Sequence, residues 1–411
     1  MKFRHLLAAA ALAVAPSMAS ANCGIEDSGE VNILTNFFDT LELLANAMEE
    51  CETESFKIDV KLTTTHKEER ERAFEASSSP YDGSAVANSS ITALQAKGQL
   101  LRLNELVDKY REEHQIEDQM LIRFGDDISA IAFMANAQHF FYRIDLFEKH
   151  GLEVPSTYED LLAAAEALKA EESVTYPFGA AFGGSGGWEV ANEFVNLLLA
   201  NGGQLFDPAT SEPAFDSAEG LEALEMMGRL SEYMSPNALA LDFLDVKRQL
   251  QQSEVAMAIL WGSEANGMDD PSESTVVDMV GFAPAPAMVD GGPPATTFWW
   301  DGYVIPKNLD GDADLTFRVI MHATSPDVVA ANNEAALWIR SNYVPTKYAT
   351  AVVDSVKANA PPYPMNPQAE IAHGALGNNI GDFLAGKESA AQSLADAAAD
   401  YRSAAEDAGL L

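Results

Sequence analysis

Basic side chains are scarce in this sequence. Against 63 aspartates and glutamates it sets only 25 lysines and arginines, a formal net charge of −38 at pH 7. A surface of that sign repels nucleic acid and anionic membranes, so neither is expected as a partner. Cysteine is scarcer still, with Cys23 and Cys51 alone. A two-cysteine metal site lacks nearby histidine partners, and no metal or cofactor is expected. Long apolar runs are also missing. Leu6 to Val14 is too short to span a bilayer, and nothing later is longer. With 47% hydrophobic residues, disorder is excluded as the general state.

What is present begins with a processing segment. Lys2 and Arg4 form a basic start, Leu6 to Val14 an apolar centre, and Ala19, Ser20 and Ala21 a small-residue cleavage site. Residues 1–21 therefore read as a signal peptide, which implies export to the periplasm. A lipid anchor on Cys23 is not expected, because Ser20, Ala21 and Asn22 lack the leucine and small-residue pattern of that modification. In an oxidising compartment Cys23 and Cys51 are expected to form one disulfide, tying the mature N-terminus to the end of the first helix.

The remaining length suits two domains or one large one. Strand-like runs at Glu30–Phe38, Phe56–Thr63 and Ser84–Ser90 alternate with helical patterns at Thr40–Glu50, Lys67–Ala76 and Ile91–Lys97. This rhythm predicts a mainly parallel sheet covered on both faces, with ligands at the carboxyl ends of its strands. The candidates there are Asn36 and Asp39 after the first strand and Asn88 and Ser89 after the third; helix caps and turns are the other use of such residues. Ile131 to Phe147 (IAFMANAQHFFYRIDLF) is the central stretch. Two apolar runs flank a polar island, either a strand crossing a solvent-lined cleft or a buried strand with a satisfied kink. On the first reading Asn136 and Gln138 face a ligand, while His139 is expected to be a satisfied core histidine.

Downstream, Pro155 to Asp160 carries capping-box spacing in two frames, Ser156 to Glu159 or Thr157 to Asp160. Phe178–Phe182 leads as a strand into Gly183–Gly187 and a helix over Glu189–Ala200. Glu254–Leu260 is a buried strand ending on Trp261, and Phe298–Pro306 and Val344–Thr346 look like two further crossings. Glu388–Ala408 is an alanine-rich closing helix.

Five motifs in order carry a family resemblance. They are Phe141 to Leu162 (FYRIDLFEKHGLEVPSTYEDLL), Asn201 to Asp207 with Pro213 to Ser217, Ala256 to Ser263 (AMAILWGS), Gly302 to Asn308 (GYVIPKN), and the helix start Thr324 to Asp327. Together they resemble the extracellular solute-binding proteins of ABC importers, the cluster that includes sugar and maltose binders. Two departures, Gly262–Ser263–Glu264 after Trp261 and Trp299–Trp300–Asp301 before Gly302, fall where ligand contacts belong.

The resemblance implies a two-lobe periplasmic-binding-protein fold of type II, each lobe a mainly parallel sheet flanked by helices, joined by a three-segment hinge. One lobe is expected at 22–134 plus 300–344 and the other at 135–299 plus 345–411. It implies a monomer that captures a carbohydrate without chemistry and delivers it to a membrane permease. Indole faces cover the C–H faces of a sugar while polar groups take its hydroxyls. Trp188, Trp261, Trp300 and Asp301 are candidates, with Trp261 at the family's stacking position. Trp299 and Trp300 must point to opposite faces, and Trp300 is assigned to the cleft. Ser185 and Gly186, in the glycine loop, would offer backbone amides at a helix start, and Arg340 would hold an anionic group. Two rival readings remain: a binder of an osmolyte or sugar acid, and a secreted serine hydrolase. The hydrolase reading rests on Gly183–Gly187, which satisfies G-x-S-x-G with Ser185 as nucleophile and His322 or His373 downstream.

Overall fold

The structure, a computed structural model, describes residues 23–25 and 27–411. The expected signal peptide lies outside the described residues. Eleven strands among them form two sheets. β1 (Gly29–Thr35), β2 (Phe56–Leu62), β3 (Gly83–Ala87), β4 (Leu121–Phe124) and β5 (Asp127–Asn136) belong to the first. β6 (Gln138–Arg143), β7 (Tyr176–Gly179), β8 (Val255–Trp261) and β9 (Val280–Ala283) form the second. β10 (Trp299–Val304) and β11 (Leu337–Trp338) return to the first. The first sheet runs β11-β5-β10-β3-β1-β2, with β4 beside β5, and the second β7-β8-β6-β9. The expected parallel pairing describes β2-β1-β3 and β7-β8; the other pairs are antiparallel.

Each sheet is covered on both faces. In β6 the neighbours Phe140 and Phe141 are both fully buried, yet they enter different cores. That is the two-residue period of a strand with two hydrophobic faces. Phe140 belongs to the core that holds Phe178, Phe194 and Tyr401, whereas Phe141 belongs to the one that holds Val246 and Leu250. The first sheet likewise separates a core around Ile33, Leu44 and Phe133 from a smaller one around Phe74 and Ile91. β2 (FKIDVKL) shows the contrasting edge pattern, with its Lys and Asp side chains outward.

The chain leaves the first sheet at Asn136 and enters the second at Gln138, with Ala137 alone between them. It returns at Trp299, which pairs with Asn136. After β11 it crosses again, and the helix Thr350–Lys357 packs against β6 and β9. The helices Pro367–Asn379 and Ala390–Asp407 complete the second core through Leu376 and Tyr401. Of the two capping frames the second is used. Thr157 Oγ1 accepts from Asp160 N at 3.1 Å and Asp160 Oδ2 accepts from Thr157 N at 3.0 Å. Asn88 directly follows β3, as expected, and opens the helix Asn88–Ala96. Cys23 and Cys51 form a disulfide just beyond the helix Asp39–Glu49.

Candidate ligand-binding site

A cavity of about 480 Å³ lies between the two sheets and takes its walls from both. Asn36 follows β1, Ser89 follows β3, Asn136 ends β5 and Trp261 ends β8, so strand termini deliver polar and aromatic groups to one place.

Three tryptophans form one corner of it. The Trp188 and Trp261 ring centroids are 6.2 Å apart, and Trp299 stands 5.6 Å from each, perpendicular to Trp261. Tyr363 backs Trp299 at 4.1 Å. A polar chain fixes the Trp299 ring. Its Nε1 donates to Thr297 Oγ1 at 2.8 Å, and Thr297 donates to Asn196 Oδ1 at 2.7 Å. Asn196 and Asn192 donate to Gln138 Oε1 at 2.6 and 3.1 Å, and Gln138 Nε2 donates to Glu193 Oε1 at 2.7 Å. Burial pushes Glu193 up to about 8.

The cavity wall brings together Asn36, Ser89, Asn136, Ser185, Gly186, Trp188, Trp261 and Asp301. Asn136 is also tied across the crossing, its Nδ2 donating to Ser263 Oγ at 3.2 Å. Asp301 is half-buried, and desolvation pushes it up to about 7. In the glycine loop, Gly184, Gly186 and Gly187 have φ values of 85°, 61° and 67°, the left-handed region that side chains disfavour. At Gly187 a Cβ would also lie 2.1 Å from the Gly377 carbonyl oxygen.

Five expected residues stand off the wall. Trp300 packs beside Phe74 and Val86, and it is Trp299 that faces the cavity. The two do point to opposite sides, but the register of β10 on β5 turns Trp299 inward. Gln138 is spent on the Asn192–Asn196–Glu193 network. Asn88 Nδ2 donates to the Phe298 carbonyl at 3.3 Å. Asp39 pairs with Lys247 at 2.5 Å. Arg340, expected to hold an anion, clamps backbone instead, donating to the carbonyls of Thr324, Gln115 and His114 at 2.5, 2.9 and 3.3 Å. His139 is a core residue stacked 4.5 Å from Phe141, but neither ring nitrogen has a hydrogen-bond partner. Burial pushes it down to about 3, so it stays neutral.

Ser185 donates to Glu68 Oε1 at 2.9 Å. His373 also lines the cavity, but its ring nitrogens are engaged by Tyr363 Oη and the Trp188 carbonyl. His322 sits beside the disulfide, on the first lobe. No imidazole bonds to Ser185 among the described residues, so the hydrolase reading has no base in place.

The sequence reading missed Glu68, Arg70, Glu189, Asp242 and Glu264 on the wall, and named His373 only as a partner for Ser185. A signal existed for Glu189. It sits with Glu193 one helical turn apart in Trp188–Ala200, whose other residues are largely apolar and buried, and a carboxylate there must have a use.

The chain matches the family described as bacterial extracellular solute-binding protein over residues 39–310. It is 29% identical over 132 residues to an uncharacterized ABC transporter extracellular-binding protein of Pyrococcus horikoshii, covering 32% of this chain and 30% of that one. It is 25% identical over 236 residues to a mannitol-binding protein of Pseudomonas aeruginosa, covering 56% of this chain and 52% of that one. The matches thus span about half or less of these relatives' lengths. An ABC transporter solute-binding protein from Agrobacterium radiobacter K84, solved with ribitol, superimposes with a TM-score of 0.79 at 22% identity, covering 92% of this chain and 99% of that one. Two mixed sheets, the short crossings and a cavity between the lobes agree with that family match, and the chain belongs to the bacterial extracellular solute-binding proteins.

Proposed function

We propose that the protein captures a carbohydrate in the cavity between its lobes and delivers it, unaltered, to the membrane permease of an ABC importer. The observation that carries this reading is the tryptophan corner, Trp188, Trp261 and Trp299, ringed by Asn36, Ser89 and Asn136. Indole faces cover the C–H surfaces of a sugar or polyol while amides and hydroxyls take its oxygens in pairs. The cavity volume falls within the roughly 300–1,000 Å³ of ordinary small-molecule sites. The mannitol and ribitol of the two named relatives favour the polyol end of the class.

The lobes are taken as 22–134 plus 300–344 and 135–299 plus 345–411. The single residue between β5 and β6 and the Trp299–Asn136 pairing support hinges within a few residues of those limits. Bending there would open and close the cavity. The mature chain acts as a monomer in the periplasm, without lipid anchor or catalysis. Among the described residues no helix is long and apolar enough to cross a membrane.

A thermal-shift screen of polyols, mono- and oligosaccharides, sugar acids and betaines tests this. A carbohydrate should raise the Tm by mass action and make the particle more compact in small-angle scattering. If only betaines or sugar acids shift the Tm, the carbohydrate reading is overturned.

A further inference from the structure

The cavity wall is unevenly charged. Seven of its side chains bear carboxyl groups, against the two cations Lys67 and Arg70. Lys67 is already paired, whereas Arg70 meets only a backbone carbonyl and its Nε has no hydrogen-bond partner. Lys67 Nζ is 2.7 Å from Glu370 Oε1, and Arg70 Nη1 donates to the Ala85 carbonyl at 2.8 Å. His66 and His373 add no charge, since burial pushes each down to about 3.

Two wall carboxyls, Glu189 and Glu264, have a buried oxygen with no hydrogen-bond partner; Glu264 has Lys247 at 3.2 Å, whereas Glu189 forms no ion pair among the described residues. It is 5% exposed, it lines the cavity, and its Oε2 has no hydrogen-bond partner. The glycine loop closes over its stem, so that a Cβ on Gly184 would lie 3.0 Å from Glu189 Cγ. Asp242, on the same wall, is near enough for its charge to oppose ionisation of Glu189, after burial itself and Glu193. Burial therefore holds a proton on Glu189, because ionising it with no donor is costly, and a bound cation would offset that cost by taking the proton's place. Trp188, its neighbour in sequence, adds an aromatic face that also favours a cation.

We infer that the ligand is an aminated polyol or sugar, whose protonated amine is received by Glu189 beside Asp242 while its hydroxyl-bearing carbons lie along the tryptophan corner. This rests on the carbohydrate-capture reading and narrows it. It also sets the site against sugar acids and sugar phosphates, whose anionic groups would meet seven carboxyl groups and, as a cation without a paired carboxylate, only Arg70, which is buried and bonded to the Ala85 carbonyl.

Matched ligands that differ in charge alone provide the test. Isothermal titration would compare D-glucamine, D-sorbitol and D-gluconate, and in parallel D-glucosamine, D-glucose and D-glucuronate. In at least one set the amino member should bind ten-fold or more tighter than the neutral one, and the acid most weakly. Glu189→Gln should abolish the preference, so that the amino ligand and its neutral counterpart bind the variant with equal affinity. Neutral ligands that bind as well as the amino ones would overturn the inference and leave carbohydrate capture standing, as would a preference that survives Glu189→Gln. The wild-type comparison decides the matter even if the variant is unstable. If no carbohydrate of any charge binds, the capture reading itself falls.

Discussion

Asp39 and Lys247 meet across the lobes, Oδ2 to Nζ at 2.5 Å. Asp39 opens the first helix of one lobe, and Lys247 belongs to the helix Phe243–Gln251 of the other, where Glu264 Oε2 lies 3.2 Å from the same ammonium. Lys67–Glu370 at 2.7 Å and Ser185–Glu68 at 2.9 Å span the same divide. These links hold the lobes in the arrangement described, and they are the contacts that opening must break.

The two partners of that first pair should respond differently to substitution. The Asp39 side chain is half exposed, whereas that of Lys247 is 6% exposed. Burial lowers the Lys247 pKa, but Glu264 and Asp39 more than offset this and leave it raised. Asp39→Asn removes an exposed partner worth up to about 1 kcal/mol, so ligand affinity should fall up to about five-fold, more at low salt than at high. Lys247→Met leaves Glu264 buried without its cation, at a cost of about 3–5 kcal/mol in unfolding free energy. Calorimetric titration and chemical denaturation separate the two. Equal, small effects from both would show that the pair does not bridge the lobes in solution.

The tryptophans should divide the same way. Trp261→Ala is expected to weaken binding by more than ten-fold, because a stacked aromatic carries much of such an interface. Trp300→Ala, on the far side of β10, should leave the dissociation constant within about two-fold while lowering Tm, since it removes packing against Phe74 and Val86. An unchanged constant for Trp261→Ala would take that residue out of the site.

This pair of neighbours also marks how far the sequence could be read. Strand alternation says that Trp299 and Trp300 face opposite sides; only pairing with β5, a contact 163 positions away in the chain, says which side is the cavity. Trp261 was legible because an apolar run ends on it. Asn136 and Gln138 were not separable, since the chain changes sheets at the residue between them. Arg340 was misread because a guanidinium that clamps carbonyls and one that holds an anion look alike in sequence. Among the unexpected wall residues, Glu68 and Arg70 lie on a helix, His66–Glu75, whose inward face only tertiary packing defines.

Stability should fall as pH rises from 6.5 to 8. Asp301 and Glu193 have folded pKa values raised by burial to about 7 and about 8, and Glu189 is raised as well. Each holds its proton in the folded state after the unfolded chain has lost it, so the unfolded state binds fewer protons and stability drops with pH. Glu193 alone accounts for a slope of about 1.4 kcal/mol per pH unit near pH 6.5, falling to about half that at pH 8. His66, His139 and His373, pushed down to about 3, act oppositely and remove stability as pH falls below 6.5. Denaturation at pH 6.5 and 8 checks the sign. Glu193→Gln should flatten the slope, and an unaltered slope would mean that Glu193 titrates normally.

Gln138 supplies the last prediction, because it joins the crossing strand to the ring most deeply set in the corner. Its carbonyl oxygen accepts from two asparagines and its amide nitrogen donates to Glu193, and the chain continues through Asn196 and Thr297 to Trp299 Nε1. Gln138→Leu keeps the volume but leaves those three buried partners short of a bond, at about 1–3 kcal/mol for each one left unsatisfied. Tm should fall clearly. Ligand affinity should fall too, although Gln138 itself is off the cavity wall, because Trp299 loses the network that fixes its ring. Gln138→Glu retains an acceptor for Asn192 and Asn196 and sets a second carboxyl against Glu193, whose proton, kept to about pH 8, the pair can share, so it should be better tolerated below pH 8 than above. Tryptophan fluorescence reports the ring directly: a red-shifted, more mobile emission in Gln138→Leu, with affinity reduced, is the expected pattern. Lost stability with emission and affinity both unchanged would show that the network supports the core alone and does not position Trp299.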